Sequence, residues 1–227
     1  MSNTQMKESY FSHRTIDALA DKWLEQFGEE GQITHSLFNP GEAALVVLDM
    51  QRYFLDPLSH AFVPGSEEIL RRIEALSTAF LEKRRPVILT RHINTPENAG
   101  LMASWWNDLI QSDSPLSRIT SELPQDRAHI VIKSRYDAFF ETDLESFLHR
   151  HMVRQVVVTG VLTHLCCETT ARSAFMRDFR VFFPVDGSAT YNKDFHQATL
   201  RNLSHGFAHL SLIRTLRQSL ERWTPDE

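Results

Sequence analysis

The sequence predicts an α/β domain of three layers, a six-stranded parallel sheet with helices on both faces. Two observations lead there. Short, largely apolar runs alternate with longer stretches of helical periodicity, and strands that are continuously apolar are those buried on both faces of a parallel sheet. The polar residues that follow these runs are Asp49, Arg91 and His92, Lys133, the Thr159–Cys166 loop and Asp186. In open α/β sheets, ligands bind beyond the carboxyl ends of the strands, so these residues are expected on one rim. At 227 residues the chain suits one such domain, long enough to bury a core without staples.

Residues 1–40 read as an N-terminal helical extension and residues 41–227 as the domain. In the extension, Ile16, Leu19, Ala20, Trp23, Leu24 and Phe27 recur at helical spacing over Thr15–Gln26, and Phe38-Asn39-Pro40-Gly41 punctuates. The strand Ala43–Leu48 comes next, then an amphipathic helix over Glu67–Lys83 and a strand over Pro86–Thr90. A short helix over Leu101–Ile110 precedes a long polar connection. The remaining pattern reads strand His129–Ile132, helix Leu144–Arg150, strand Gln155–Thr159, helix Glu168–Asp178 and strand Val181–Val185. Helix Phe195–Leu203, strand Leu210–Ile213 and helix Arg214–Arg222 complete it.

Composition narrows the function. A formal charge of −5 with scattered basic residues offers no field for nucleic acid. No apolar run approaches the length of a membrane span, and the first residues hold no apolar signal core, so a cytoplasmic location is expected. Cys166 and Cys167 are the only cysteines. Neighbouring Cα atoms lie about 3.8 Å apart, too close for an ordinary disulfide, so no structural bridge is expected.

The two cysteines differ in what surrounds them. Cys167 continues an apolar helical stripe through Ala171, Ala174 and Phe175, whereas Cys166 shares a polar one with Thr170, Ser173 and Arg177. Cys167 is therefore expected in the core and Cys166 on the rim, at a helix N-terminus whose free N–H groups would lower its pKa. Asp49 and Lys133 each end an apolar strand, where either alone would be costly to bury. Facing each other, they make one another's burial tolerable. His92 is a strand-end imidazole, read as a substrate contact or as locally bonded, and Trp106 and Tyr136 are expected to line an apolar pocket. Asp56 and His60 suggest half a metal site, but no tight cluster supplies the other ligands, so no metal is expected.

Three segments then carry a resemblance. Val-Val-Leu-Asp49-Met-Gln-Arg-Tyr-Phe, Val-Ile-Lys133-Ser-Arg-Tyr-Asp-Ala-Phe, and Gly160-Val-Leu-Thr-His-Leu-Cys-Cys-Glu-Thr-Thr-Ala-Arg resemble the isochorismatase-like cysteine hydrolase superfamily, in order, from about Glu42 to about Ile213. The resemblance implies a Rossmann-like parallel sheet carrying an Asp–Lys–Cys triad on Asp49, Lys133 and Cys166. It implies a cis peptide between Val161 and Leu162 that aims the N–H groups of Leu162 and Cys166 at an oxyanion. It implies no cofactor, a small-molecule substrate, and a homo-oligomer, a dimer or larger, for which the apolar N-terminal helix offers a surface. In the implied chemistry, Asp49 takes the thiol proton, Cys166 attacks a carbonyl, Asp49 returns the proton to the departing amine, and water cleaves the thioester.

Two departures refine it. Nicotinamidases of this superfamily carry a metal element, Asp-aromatic-His, where this chain has His92-Ile93-Asn94, which disfavours nicotinamide. True isochorismatases resemble the Arg-Tyr-Asp-Ala-Phe and Ala-Phe-Met-Arg-Asp segments, but have Gly at the position of Cys166 and Ala at that of Thr163. The leading expectation is therefore a cysteine hydrolase of a small amide or related C–N bond. The alternative is vinyl ether hydrolysis with Asp49 as acid and no nucleophile. A non-catalytic binder is a third reading, which a Cys166 thiol no more reactive than free cysteine would favour.

Overall fold

The computed structural model describes residues 7–28, 38–106 and 108–224. Residues 1–6 and 29–37 of the extension, and position 107 within the expected helix Leu101–Ile110, lie outside them.

Seven strands form one parallel sheet: β1 (Ala43–Leu48), β2 (Val87–His92), β3 (His129–Lys133), β4 (Gln155–Val161), β5 (Arg180–Pro184), β6 (Ser188–Ala189) and β7 (Ala208–Ser211). Six of them run in the order β3-β2-β1-β4-β5-β7, and the two-residue β6 pairs with the end of β4. Six strands were expected. The seventh, Ser-Ala, is too short and too little apolar to carry a periodic signal. Every residue of β1 and β4 is buried, the condition that makes central strands continuously apolar. Ile132 of the edge strand β3 is 52% exposed.

The chain builds outward from β1 through β2 to β3 and then returns to lay β4 on the other side of β1. Strand order thus reverses between β1 and β4, and the carboxyl ends of those two strands flank the crevice where ligands bind in such sheets. Leu48 pairs with Gly160 at this point. Gly160 adopts φ 108°, and a Cβ built on it would fall 2.1 Å from Leu48 O, so only glycine lets the two backbones approach this closely.

The helices are α1 (Ile16–Gly28), α2 (Arg52–Leu55), α3 (Ser66–Glu82), α4 (Met102–Trp105), α5 (Leu144–Arg150), α6 (Glu168–Phe175), α7 (Lys193–Gly206) and α8 (Ile213–Arg222). In α1 the spacing of Ile16, Ala20, Trp23 and Phe27 builds one apolar face, and all four are buried in the main core. Helix α1 packs on β7 and α7. Its apolar face is consumed within the chain, so the helix does not present the free apolar surface expected of it. The helix expected over Leu101–Ile110 is a single turn, α4, none of whose residues is buried. A helix this short gains nothing from propensity and needs an apolar face against the core to lengthen. No helix among the described residues is long and apolar enough to cross a membrane.

Asp186 does not join the rim. Its Oδ1 accepts from the Ile213 N–H at 2.8 Å and its Oδ2 from Arg72 at 2.8 Å, while Arg72 also reaches Asp17 of α1. Arg72 therefore ties α1, α3 and the start of α8 together. Burial raises the Asp186 carboxyl above its ordinary range even with Arg72 beside it. Arg72→Ala leaves this carboxylate buried and unpaired, at an expected cost of about 3 kcal/mol and a melting temperature lower by about 6–10 °C. A carboxyl whose folded pKa is raised destabilises as pH climbs past its unfolded value. The deficit should therefore be larger at about pH 8 than at about pH 5, measurable by thermal melts at both.

Candidate active site

Asp49 follows β1 directly and adopts φ 51°, a left-handed conformation that a short polar side chain tolerates. Thr90 on β2 fixes its rotamer twice: the Thr90 hydroxyl accepts from the Asp49 N–H at 3.0 Å and donates to Oδ1 at 2.6 Å. The carboxylate is fully buried.

Lys133, at the end of β3, is buried beside it. Its ammonium lies 2.8 Å from Asp49 Oδ2, 2.9 Å from Arg135 O, 3.3 Å from His92 Nδ1 and 3.5 Å from Cys166 Sγ. An ammonium has three protons. Four acceptors share them, and the shortest contact is the charge-assisted one to Asp49 Oδ2, with the Cys166 thiol as a further hydrogen-bond partner of the carboxylate. The carboxylate is thus held ionised by Lys133 beside the Cys166 thiol.

Cys166 sits in a turn of π-helix, Thr163–Cys167, that precedes α6, a distortion frequent at functional sites. Burial pushes its thiol pKa far up, and the Asp49 charge pushes it further, with Lys133 opposing. The expectation of a lowered pKa at a helix N-terminus is therefore corrected: the resting group is a neutral thiol. Burial alone would also raise Asp49, but Lys133 outweighs it and holds the carboxyl below its usual range. Asp49 in turn outweighs the effect of burial on Lys133 and raises it. Cys167 is fully buried in the core as expected, but the stripes do not divide cleanly: Cys166, expected on the rim, is itself 6% exposed, and Phe175 of the apolar stripe is 45% exposed.

His92 Nε2 donates to Asn94 Oδ1 at 2.7 Å, leaving Nδ1 to accept from Lys133. Burial lowers the imidazole to about 4, so it is neutral. Thr90 and His92 share one side of β2. Arg91 between them turns to the other and donates to the Ser117 and Ser112 carbonyls, so it is absent from the site.

Above the thiol opens a cavity of about 1490 Å³ whose lining includes His92, Trp106, Tyr136, Leu162 and Cys166. The Trp106 indole N–H donates to the Tyr136 hydroxyl at 2.5 Å. The peptide between Val161 and Leu162 is cis. Loop residues complete the wall where no sequence pattern pointed to them, Lys7, Asn94, Asp108 and Tyr191, together with His164 of the π-turn. His60 pairs with Asp108 at 2.8 Å and with the Tyr53 hydroxyl at 2.9 Å, whereas Asp56 pairs with Arg52. Asp56 and His60 thus form no shared half-site.

Among the described residues, Asp49, His92 and Cys166 bring their donor atoms within 4.8 Å of one another, close enough to hold an ion. The Lys133 ammonium contacts all three. A cation already stands among these donors, and at the position of the nicotinamidase element His92 and Asn94 are bonded to each other, so neither set fits a metal ion.

Comparison with known proteins agrees with this frame. The Isochorismatase domain model matches residues 43–215. Nicotinamidase 3 of Arabidopsis thaliana is 40% identical over 183 residues, 78% of this chain and 88% of the relative. The Isochorismatase of Bacillus subtilis is 28% identical over 83% of this chain, which spans 61% of that relative's length. The crystal structure of a cysteine hydrolase from Pseudomonas syringae pv. phaseolicola superposes with a TM-score of 0.77 at 26% identity, covering 81% of this chain and 94% of that one. With a domain match along 43–215 and a relative at 40% identity over most of both lengths, the chain belongs to the isochorismatase family of hydrolases.

Proposed function

We propose that the protein hydrolyses a small carboxamide through a thioester on Cys166. The carrying observation is the Asp49 carboxylate, held ionised by Lys133 at 2.8 Å and hydrogen-bonded to a neutral Cys166 thiol that lines the cavity. The Cys166 Sγ attacks the amide carbonyl as Asp49 Oδ2 takes its proton, and the carbonyl π pair moves to oxygen. Collapse expels the amine, which leaves with that proton. Water then attacks the thioester, gives a proton to Asp49, and the C–S bond breaks as the thiol is restored. Lys133 keeps its proton throughout and offsets the negative charge that builds beside it.

The aromatic wall of Trp106 and Tyr136 suits a flat substrate ring. The nicotinamidase name of the 40% identical relative returns nicotinamide to candidacy, although the missing metal element had disfavoured it. The test is acid quenching during turnover of nicotinamide, followed by peptide mass mapping. The expected result is an acyl group on the Cys166 peptide together with ammonia release. The second reading draws on the isochorismatase relative: pyruvate release from isochorismate, with no adduct on Cys166, would replace the amide reading.

A further inference from the structure

Two fully or nearly fully buried polar side chains have no part in the chemistry above. His196 of α7 is completely buried, and Tyr10, ahead of α1, is 7% exposed. The Tyr10 hydroxyl accepts from the Thr190 N–H at 3.0 Å and lies 2.9 Å from His196 Nδ1. Since that hydroxyl has one proton, it donates to Nδ1. Burial holds the imidazole down at about 3, so it is neutral, and its Nε2, near the Val185 backbone, has no well-aligned partner. A buried histidine with one ring nitrogen so poorly satisfied is costly to keep.

What it borders is the nucleophile loop. Thr163 Oγ1 lies 3.5 Å from His196 Nδ1 and donates to Ser188 Oγ at 3.0 Å. Thr190, whose N–H is held by Tyr10, bonds through its own hydroxyl to His164 Nδ1 at 2.6 Å. Tyr10 thus reaches the π-turn carrying Cys166 by hydrogen bonds through Thr190 to His164, while His196, which it holds, packs against Thr163 without a proton to share. The N-terminal segment also walls His196 in: ring centroids of Trp23, Phe11 and Tyr10 lie 5.1, 5.4 and 5.6 Å from the imidazole.

We propose that Tyr10 and His196 are positioning residues for the nucleophile: the Tyr10 hydroxyl holds Thr190, and with it His164, by hydrogen bonds, and seats His196 against Thr163, and so keeps Cys166 Sγ facing Asp49. The N-terminal segment is then a component of the active site, although it touches no reacting atom. The effect on turnover rests on Cys166 being the nucleophile; the effect on thiol placement does not.

The experiment uses Tyr10→Phe and His196→Gln in the full chain, with Phe27→Leu as a control that loosens α1 without touching these hydrogen bonds. Tyr10→Phe keeps the ring and removes only the hydroxyl, so folding is preserved. Two readouts are taken: iodoacetamide labelling of Cys166, mapped by mass apart from Cys167, and kcat and KM for nicotinamide. A loosened loop exposes the thiol yet misplaces it. Labelling is therefore expected to rise about fivefold, while kcat falls about tenfold or more at little-changed KM. A purely structural role does not move the two rates in opposite directions. Labelling of both variants within about twofold of wild type, or equal acceleration in Phe27→Leu, overturns the proposal. Turnover that survives Cys166→Ala sinks the thioester reading instead, and the labelling arm still decides the positioning role.

Discussion

Cys166→Ala is expected to lower amide turnover by about 10⁴-fold or more, with substrate binding retained. The substitution removes one small buried side chain and leaves the Asp49–Lys133 pair intact. What remains is a buried carboxylate able to activate water against an amide, without the covalent route that divides the reaction into two easier steps. The same variant discriminates sharply, because ether hydrolysis with Asp49 as acid would continue unchanged. Slow alkylation of the wild-type thiol would not argue against catalysis. The resting thiol is neutral because burial and Asp49 raise its pKa, and it gives up its proton only as it attacks. The criterion of high thiol reactivity, reasonable for a cysteine at an open helix end, does not apply to this one.

Asp49→Asn and Lys133→Met are each expected to destabilise the fold by about 3–5 kcal/mol, because each leaves a fully buried charge without its partner. The double substitution should recover most of the loss, since two neutral side chains then occupy the space. Urea titrations of the four proteins close this cycle, and strict additivity of the single costs would show that the pair is not coupled. The pH dependence has a definite sign. Asp49 is held below its ordinary value, so its contribution is lost as pH falls through the folded value. Lys133 is held above its own, so its contribution is lost as pH rises through the folded value. Between the two limits the pair stabilises the fold. In Lys133→Met the stranded carboxyl gains a proton more easily, and the deficit should grow from about pH 5 to about pH 8. All these proteins except the wild type should be inactive on amides.

The meeting of Asp49 and Lys133 was legible because each stands at the end of a largely apolar strand. Asp49 after Ala43–Leu48 and Lys133 after His-Ile-Val-Ile are charges for which such a pattern has no use unless they meet. Strand ends alone were too generous a filter, however. Arg91 and Asp186 also follow apolar runs, yet one points to the other side of β2 and the other anchors Arg72 and α8. The protonation state of Cys166 was not legible at all, since it depends on burial among atoms from β1, β3 and β4. Nor were Lys7, Asn94, Asp108 and Tyr191 as cavity wall, because loops carry no periodicity from which a facing direction can be read. The seating of Tyr10 against His196 joins positions 186 residues apart, and nothing local announces it.

The close passage of Gly160 under Leu48 has a consequence for how this enzyme can diversify. Asp49 and Cys166, the proposed base and nucleophile, follow two neighbouring strands whose spacing is set by ladder hydrogen bonds and by the absence of one methyl group. The proposed chemistry is therefore anchored to main chain, whereas the cavity wall above it includes side chains such as Leu101 and Trp105, which are largely solvent-facing. Those wall positions are free to drift or be recombined without retuning the reacting groups. One rigid reaction floor can in this way serve a changing repertoire of substrates, the separation that a directed-evolution campaign on this scaffold would exploit.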